Sequence, residues 1–184
     1  MLRYMAIEER KYPGELASPQ QVHELAEENR KAANHLLELG RPGKPLTRAP
    51  FRLAAIHAIE LHLTALLLHR GHNPNQIRKL QHDLSRRTEH ALEAGLRLRA
   101  KTAKHLQSLS QNREYLVTRY GPERAATASQ INRLTATLEE VAAKVSALIA
   151  LPARLQQADP AASGEVHGRD SAASWSASTV SPMT

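Results

Sequence analysis

The feature that most constrains this chain is the apolar run FRLAAIHAIELHLTALLL, which extends from Phe51 to Leu68. Its apolar residues occur on nearly every side of a helix, whereas a surface helix keeps one polar face. The run is therefore predicted to form a helix in the middle of an α-helical bundle. Pro50 suits the first turn of this helix, and Gly71 suits its end.

Hydrophobic periods and cap residues predict the helices that surround this run. Ser18, followed by Pro19, is suited to start a first helix that Gly40 ends, and Asn73 is suited to cap a short helical turn. Further helices are predicted at residues 84–94, 98–111 and 131–148, and the segment 113–122 is predicted to be nonhelical. The expected fold is all-α, an up-and-down bundle of about five helices.

Two of the predicted helices carry a stripe of mostly apolar side chains, which recur at alternating steps of three and four residues. The first stripe contains Val22, Leu25, Asn29, Ala32, Leu36 and Leu39, and the second contains Ile131, Leu134, Leu138, Val141, Val145 and Leu148. Both stripes are expected to face the core, with a partner helix as the alternative for the second. Asn29 is expected to be a hydrogen-bonded core amide. Ser129 suits the cap of the last helix.

The length of 184 residues favours one domain, predicted at residues 18–151 after an N-terminal lead at 1–17. From Pro152 onward the chain is rich in Ala, Ser and Thr without an apolar period, so residues 152–184 are predicted to be a disordered tail. The absence of Cys excludes disulfides and favours the cytoplasm. No signal peptide or membrane span is predicted, because the N-terminus is charged and His57, Glu60 and His62 interrupt the apolar run.

The net charge is +7, and basic residues are concentrated between Arg78 and His105. Arg97, Lys101 and Lys104 are predicted to share one helical face, a pattern that suits contacts with phosphate groups. A solvated face is the alternative. The chain has one Phe, one Trp and four Tyr, which argues against a surface on which many bases stack.

The order of these motifs resembles that of bacterial HEPN-domain proteins. The resemblance is carried by Ala55–Gly71 with Glu60 in the acidic position, by His82-Asp83-Leu84, by Arg119-Tyr120, and by Ile131–Leu148. It covers about Ser18 to Leu151. Thr64 stands where the second helix of this branch usually has Lys, so Glu60 is expected to meet a basic residue from another helix.

The resemblance implies an α-helical bundle that is commonly dimeric. It also implies one of three roles: a metal-independent ribonuclease, an inert relative, or a partner of a small nucleotidyltransferase in a toxin–antitoxin pair. The expected partners are therefore a second copy of the chain, a nucleotidyltransferase-type or other protein, or RNA.

Ribonuclease members of the family carry an Arg followed a few residues later by His, usually in a late helix. The Arg stabilises phosphate charge, and the His acts as general acid or base. The pairs with this spacing are Arg30 with His35, Arg52 with His57, and Arg99 with His105. A chain with ten His and eighteen Arg contains about this many such pairs by chance. The first two pairs lie too early in the chain for the family pattern, and in the third pair the Arg is followed by Ala100 instead of a polar residue. The predicted function is a non-catalytic binding module, and the alternative is a HEPN-type ribonuclease or toxin component.

The polar residues of the HEPN-like motifs are predicted to be structural. Glu60 is expected to be largely buried and paired with a basic residue, or hydrogen-bonded to Tyr or His, because an isolated buried carboxylate is costly. Tyr120 is expected to pack on the bundle and Arg119 to meet a carboxylate, with Glu60 the first candidate. Asp83 suits a helix cap, with His82 bonded to the backbone.

A metal site is not predicted. His57 and Glu60 share a helical face and would suit two ligands of a transition metal. No third ligand has a recognisable spacing, so the expectation is neither a metal nor another cofactor.

Overall fold

A computed structural model describes residues 12–150, which contain seven α-helices, two short 3-10 helices and no β-strand. The α-helices are α1 Pro19–Glu38, α2 Ala49–His69, α3 Pro74–Lys79, α4 Leu84–Glu93, α5 Ala100–Gln111, α6 Glu114–Tyr120 and α7 Ile131–Ala150. The 3-10 helices are Pro45–Arg48 and Pro122–Thr127. The all-α prediction is confirmed, with more helices than the five expected. The predictions for residues 1–11 and for the tail at 152–184 lie outside the described residues.

Helix α2 lies at the centre of the bundle, as its composition predicts. It contacts α1, α4, α6 and α7. Its side chains Phe51, Ile59, Leu63 and Leu66 are fully buried. Burial of one such side chain contributes about 1.5–3 kcal/mol. This helix therefore supplies much of the free energy that holds the bundle together.

The segment Pro45–His69 is long and apolar enough to cross a membrane by length and composition alone. The core helix of a soluble protein meets the same criterion. In this fold, 61% of the most apolar window of the segment is buried inside the protein. Packing against the other helices therefore accounts for its apolar composition.

The predicted helix starts are confirmed by their hydrogen bonds. At α1, the Ser18 hydroxyl accepts from the Gln21 N–H at 3.1 Å, and the Gln21 side chain accepts from the Ser18 N–H at 2.9 Å. Asp83 caps α4 by accepting from the Arg86 N–H at 3.1 Å. Asn73 caps α3 in a similar way. Each cap contributes about 1 kcal/mol to helix stability.

Two glycines end helices because their backbone enters the left-handed region. Gly71 follows α2 with φ +81°, and Gly95 follows α4 with φ +98°. After Gly71, the His72 N–H donates back to the Leu67 carbonyl at 3.0 Å, and the same pattern follows Gly95. These bonds satisfy carbonyls that the helix ends would otherwise leave without a partner.

The prediction for the buried face of α1 is confirmed only in part. Val22, Ala26 and Ala33 are buried, whereas Leu25 and Leu39 are exposed. Helix α1 packs closely on α2, and small Ala side chains at the contact allow that approach. Leu36, which also belongs to the predicted stripe, packs against the core, so the stripe is buried only in part.

The prediction for the buried face of α7 is confirmed. The residues at its centre that pack in the core are Leu134, Leu138, Val141 and Val145. Ser129 has a different role from the predicted cap, because its N–H and its hydroxyl both donate to the Glu114 carboxylate, at 2.7 Å and 3.1 Å.

The prediction that residues 113–122 are nonhelical is wrong, because they contain α6. Arg113 has φ +50°, which separates α5 from α6. Glu114, the first residue of α6, is 2% exposed and bonds to α2 and to the segment before α7. Tertiary contacts of this carboxylate hold a short helix whose sequence has no clear apolar period.

Candidate functional site

A polar cluster formed by α2, α4 and the turn before α4, the Glu60 cluster, consists of Glu60, Thr64, His82 and Arg87. The Glu60 carboxylate lies 3.0 Å from His82 Nδ1 and 3.4 Å from Arg87 Nη2. Arg87 also donates to the Thr64 hydroxyl at 2.8 Å. The basic residue expected from another helix is therefore Arg87. The predicted backbone bond of His82 is wrong, because its ring bonds to Glu60.

Arg87 forms a largely buried ion pair. The residue is 3% exposed, and the Glu60 side chain is 16% exposed. Burial lowers the pKa of the Arg87 guanidinium, and the charges of Glu60 and Asp83 oppose that effect. Arg87 stays charged at neutral pH, because an Arg guanidinium is not deprotonated in proteins. Removing either partner would leave an uncompensated charge in the protein.

The Glu60 cluster contributes to the wall of an apolar groove of about 1170 Å³. Among the apolar side chains that line the apolar groove are Tyr12, Leu16, Leu25, Leu61, Leu68 and Ile77. Three of these are largely exposed: Tyr12 at 57%, Leu16 at 72% and Leu25 at 51%. The volume of the groove lies just above the roughly 300–1,000 Å³ of small-molecule sites, so its size does not identify the ligand. The exposed apolar side chains are what suits a protein surface as ligand.

The Arg99 and His105 pair does not face one site. Arg99 donates to Glu140 through its N–H at 2.8 Å and its Nε at 2.6 Å. His105 is 5% exposed, and its Nδ1 lies 2.7 Å from the Thr137 hydroxyl. Burial lowers the pKa of His105 to about 4. The ring is neutral at pH 7 and enclosed where an RNA backbone does not reach.

The Arg52 and His57 pair is also separated by structural contacts. Arg52 is 7% exposed, and its Nη1 lies 3.3 Å from the Glu114 carboxylate and 3.4 Å from the Ser129 hydroxyl. His57 lines the apolar groove on another side of α2. Arg52, Glu114 and Ser129 thus form a buried hydrogen-bond network. The sequence does not predict this network, because no local motif connects residues so far apart.

In the third pair, Arg30 is held by carboxylates and His35 is exposed. Arg30 Nη1 lies 2.8 Å from Glu139, and Arg30 Nη2 lies 2.9 Å from Glu27. All three candidate arginines are thus engaged in ion pairs with protein carboxylates. An RNA phosphate would have to compete with those carboxylates.

The residues Arg97, Lys101 and Lys104 form a basic surface. All three are exposed, and none has a carboxylate partner among residues 12–150. The prediction of one helical face is wrong for Arg97, because the chain stays extended as far as Arg99, the N-cap of α5. The bond from Arg99 to Glu140 holds this extended segment. Lys101 and Lys104 do share a face of α5, since residues three apart on a helix are neighbours.

The predictions for Arg119 and Tyr120 are wrong. Tyr120 is 75% exposed, and Arg119 is exposed at the end of α6. Within the described part of the chain no carboxylate bonds to Arg119, and Glu60 bonds to Arg87 and His82 instead. Because α6 continues through both residues, its last turn directs them away from the bundle.

Asn29 is not the predicted core amide. It is half-buried, and its Nδ2 donates to the Leu25 carbonyl one turn earlier on α1, at 2.9 Å. The bond is local because the middle of the predicted stripe, where Asn29 lies, does not face the core. Asn29 therefore has no bond that would set the orientation of another helix.

A second group of polar side chains, the His23–Glu27–His62 cluster, lies between α1 and α2 and was not predicted from the sequence. One ring nitrogen of each His and one oxygen of Glu27 lie within 4.8 Å of one another. His23 and Glu27 are one helical turn apart, which was a readable signal. In the sequence, His62 only interrupts the apolar run, and the predicted face of α1 does not place it near His23.

No family model, no curated protein sequence and no solved structure matches this chain. The fold class is all-α, as the helices themselves establish.

Proposed function

We propose that this chain is a non-catalytic binding module of the HEPN-like type that pairs with a second copy of itself at the apolar groove. The observation that carries the proposal is the exposed apolar lining formed by Tyr12, Leu16 and Leu25. Contiguous exposed apolar side chains on a folded domain are typical of protein interaction sites.

The charges around the groove favour a partner of balanced charge. Glu60 is neutralised by Arg87, and Arg78 lies over the ring of Tyr12 at 4.5 Å. The groove therefore has neither a strongly acidic nor a strongly basic wall. The same surface on another copy meets this requirement, since two identical patches related by a twofold axis are complementary in size and polarity.

Sedimentation velocity over a range of concentrations tests self-association. The double variant Leu16→Asp with Leu25→Asp is expected to be monomeric where the unmodified protein is dimeric. Burial of two Leu side chains contributes about 3–6 kcal/mol, so the dissociation constant should rise at least roughly 100-fold.

The matched control is the double variant Leu39→Asp with Leu46→Asp. These two residues are 69% and 55% exposed and do not line the apolar groove. The control should remain dimeric, with an unchanged helical circular dichroism spectrum. Self-association at the groove is rejected if the unmodified protein is monomeric throughout, or if both double variants dissociate equally. A monomer would leave another protein, such as a nucleotidyltransferase-type partner, as the candidate occupant.

A second candidate function is RNA binding at the basic surface. It is favoured by Arg97, Lys101 and Lys104, which are exposed cations without a carboxylate partner in the described residues. Such cations release counterions from nucleic acid when they contact phosphate groups, so binding weakens as salt rises.

Fluorescence anisotropy with a labelled single-stranded RNA tests this second candidate. Changing Arg97, Lys101 and Lys104 together to Gln should weaken binding and flatten its salt dependence by up to about three phosphate contacts. The control changes Arg41, Lys44 and Lys79 to Gln. These three residues are also exposed, and their replacement removes the same amount of positive charge. Equal effects in the two triple variants would argue against a defined RNA site.

The ribonuclease alternative makes a different prediction. Catalysis by Arg and His would give RNA cleavage that persists in EDTA and disappears in His35→Ala, His57→Ala or His105→Ala. We expect no cleavage, because the arginines of all three pairs bond to protein carboxylates. If the protein cleaves RNA with multiple turnover and one of these His variants abolishes the cleavage, the chain is a ribonuclease and not a non-catalytic binding module.

A further inference from the structure

Three potential metal ligands meet where α1 packs on α2. His23 and Glu27 are half-buried on one face of α1, and His62 of α2 is fully buried opposite them. The ligand atoms of the three side chains lie within 4.8 Å of one another. The shortest described approach joins His62 Nε2 to Glu27 Oε1 at 3.6 Å, which is too long for a hydrogen bond.

His62 is the unusual member, because it is 0% exposed and neither ring nitrogen has a hydrogen-bond partner among the described residues. A charged imidazolium would be costly in this buried position without a hydrogen-bond partner, so the ring is neutral. A neutral imidazole has one N–H donor and one lone pair, and buried polar atoms of this kind are normally satisfied. A lone pair on a neutral, buried imidazole is also what a transition metal binds.

Helix α7 orients the ring of His23. The Ser146 hydroxyl donates to the Ala142 carbonyl at 2.8 Å, and its oxygen lies 3.3 Å from His23 Nε2. Because that hydroxyl proton is already donated, the serine oxygen accepts from a protonated Nε2. His23 Nδ1 then carries the lone pair, and this atom is buried without a partner in the described residues. A hydrogen bond that sets the tautomer in this way is a regular support of metal-binding His residues.

Arg30 orients the carboxylate of Glu27. Its Nε and Nη2 lie 3.0 Å and 2.9 Å from Glu27 Oε2, which leaves Oε1 directed toward His62. Arg30 is itself paired with Glu139 at 2.8 Å. The two carboxylates and the one guanidinium together carry a net charge of −1. That charge favours a cation.

We propose that His23, Glu27 and His62 form a binding site for one divalent transition-metal ion, with Zn²⁺ as the ion that suits it best. The proposal does not depend on self-association or on RNA binding. Two imidazoles and a carboxylate are a regular ligand set for Zn²⁺, with water in the fourth position. Mg²⁺ and Ca²⁺ prefer oxygen ligands and are disfavoured by the two His.

Small side-chain movements would complete the site. Zn²⁺ binds nitrogen and oxygen at about 2.0–2.2 Å, so ligands in a tetrahedron lie roughly 3.3–3.6 Å apart. The separation of 3.6 Å between His62 and Glu27 is already close to this value. His23 and Glu27 are only half-buried, so their side chains can move the remaining distance toward the ion.

The test is zinc binding by the full chain without an affinity tag, after metal removal with EDTA. Dialysis against buffered Zn²⁺, followed by elemental analysis, should give one Zn²⁺ per chain. The variants His23→Gln and Glu27→Gln should each weaken binding by at least about 10–100-fold, since loss of outer-shell support alone has that effect. Zn²⁺ should also raise the melting temperature of the unmodified protein more than that of either variant.

The matched control is His90→Gln. His90 and Glu93 form a half-exposed His–Glu pair on α4 at 3.3 Å, outside the cluster, so this variant should retain one Zn²⁺ with unchanged affinity. If circular dichroism shows that one variant fails to fold, the other variant still tests the site. The absorption spectrum of bound Co²⁺ tests it as well, because three protein ligands and one water give the intense bands of four-coordinate cobalt. No bound zinc, equal affinity in all variants, or equal loss in His90→Gln overturns the proposal.

Discussion

Replacing Glu140 by Gln is predicted to destabilise the bundle through loss of one buried charge. The side chain of Glu140 is 5% exposed and joins α7 to the start of α5. It accepts hydrogen bonds from the Arg99 backbone and side chain, from the Thr102 hydroxyl, and from Lys144 at 2.7 Å. Gln cannot accept all of these bonds, because one of its terminal atoms is a donor.

The magnitude follows from the pKa of Glu140. Burial alone would raise this pKa, but the hydrogen bonds from Lys144, Thr102 and Arg99 lower it from 4.5 to about 2. Each pKa unit corresponds to about 1.4 kcal/mol, so the ionised carboxylate contributes roughly 3 kcal/mol to the free energy of unfolding at pH 7. For a domain of this size that loss lowers the melting temperature by about 10 °C.

Urea denaturation as a function of pH measures this contribution. The folded-state pKa lies below the unfolded value, so the stabilisation is complete above about pH 4.5 and is lost as the pH falls toward about 2. The difference in unfolding free energy between the unmodified protein and Glu140→Gln should therefore be greatest near neutral pH and should shrink on acidification.

The neighbouring variant Glu139→Gln is the control for this prediction. The Glu139 side chain is 43% exposed and pairs with Arg30. Its loss should cost less than about 1 kcal/mol, as for other exposed ion pairs. Equal destabilisation by Glu139→Gln and Glu140→Gln, or a Glu140 effect that does not change with pH, would refute the reasoning.

Three further predictions concern individual side chains. Arg87→Ala should lower the free energy of unfolding in urea by about 3–5 kcal/mol, because it leaves Glu60 without its buried cation, whereas exposed Arg86→Ala should change it by less than about 0.5 kcal/mol. His105 has a pKa lowered by burial from 6.5 to about 4, so its contribution to stability should be complete above pH 6.5 and decline toward pH 4; His105→Gln should flatten that decline in urea titrations at successive pH values. Arg119→Ala should melt within a few degrees of the unmodified protein, and a large loss would contradict its exposed position at the end of α6.

The candidate sites differ in how far the sequence predicts them. The need for a cation near Glu60 follows from the cost of a buried carboxylate, but the choice of Arg87 depends on how α4 crosses α2. Spacing along the sequence relates ligands only within one helix, so it does not predict the contact of His23 with His62 across two helices. The exposed position of Tyr120 depends on α6, which the tertiary contacts of Glu114 hold in place.

The helical class, the central place of α2, and the helix starts and ends at Ser18, Asp83, Gly71 and Gly95 are all predictable from the sequence. These features depend on local backbone geometry and on composition, which act over a few residues. The tertiary structure decided which face of α1 is buried and which charged side chains meet. Those contacts join residues distant in the chain, and their energies depend on burial that exists only once the helices have packed.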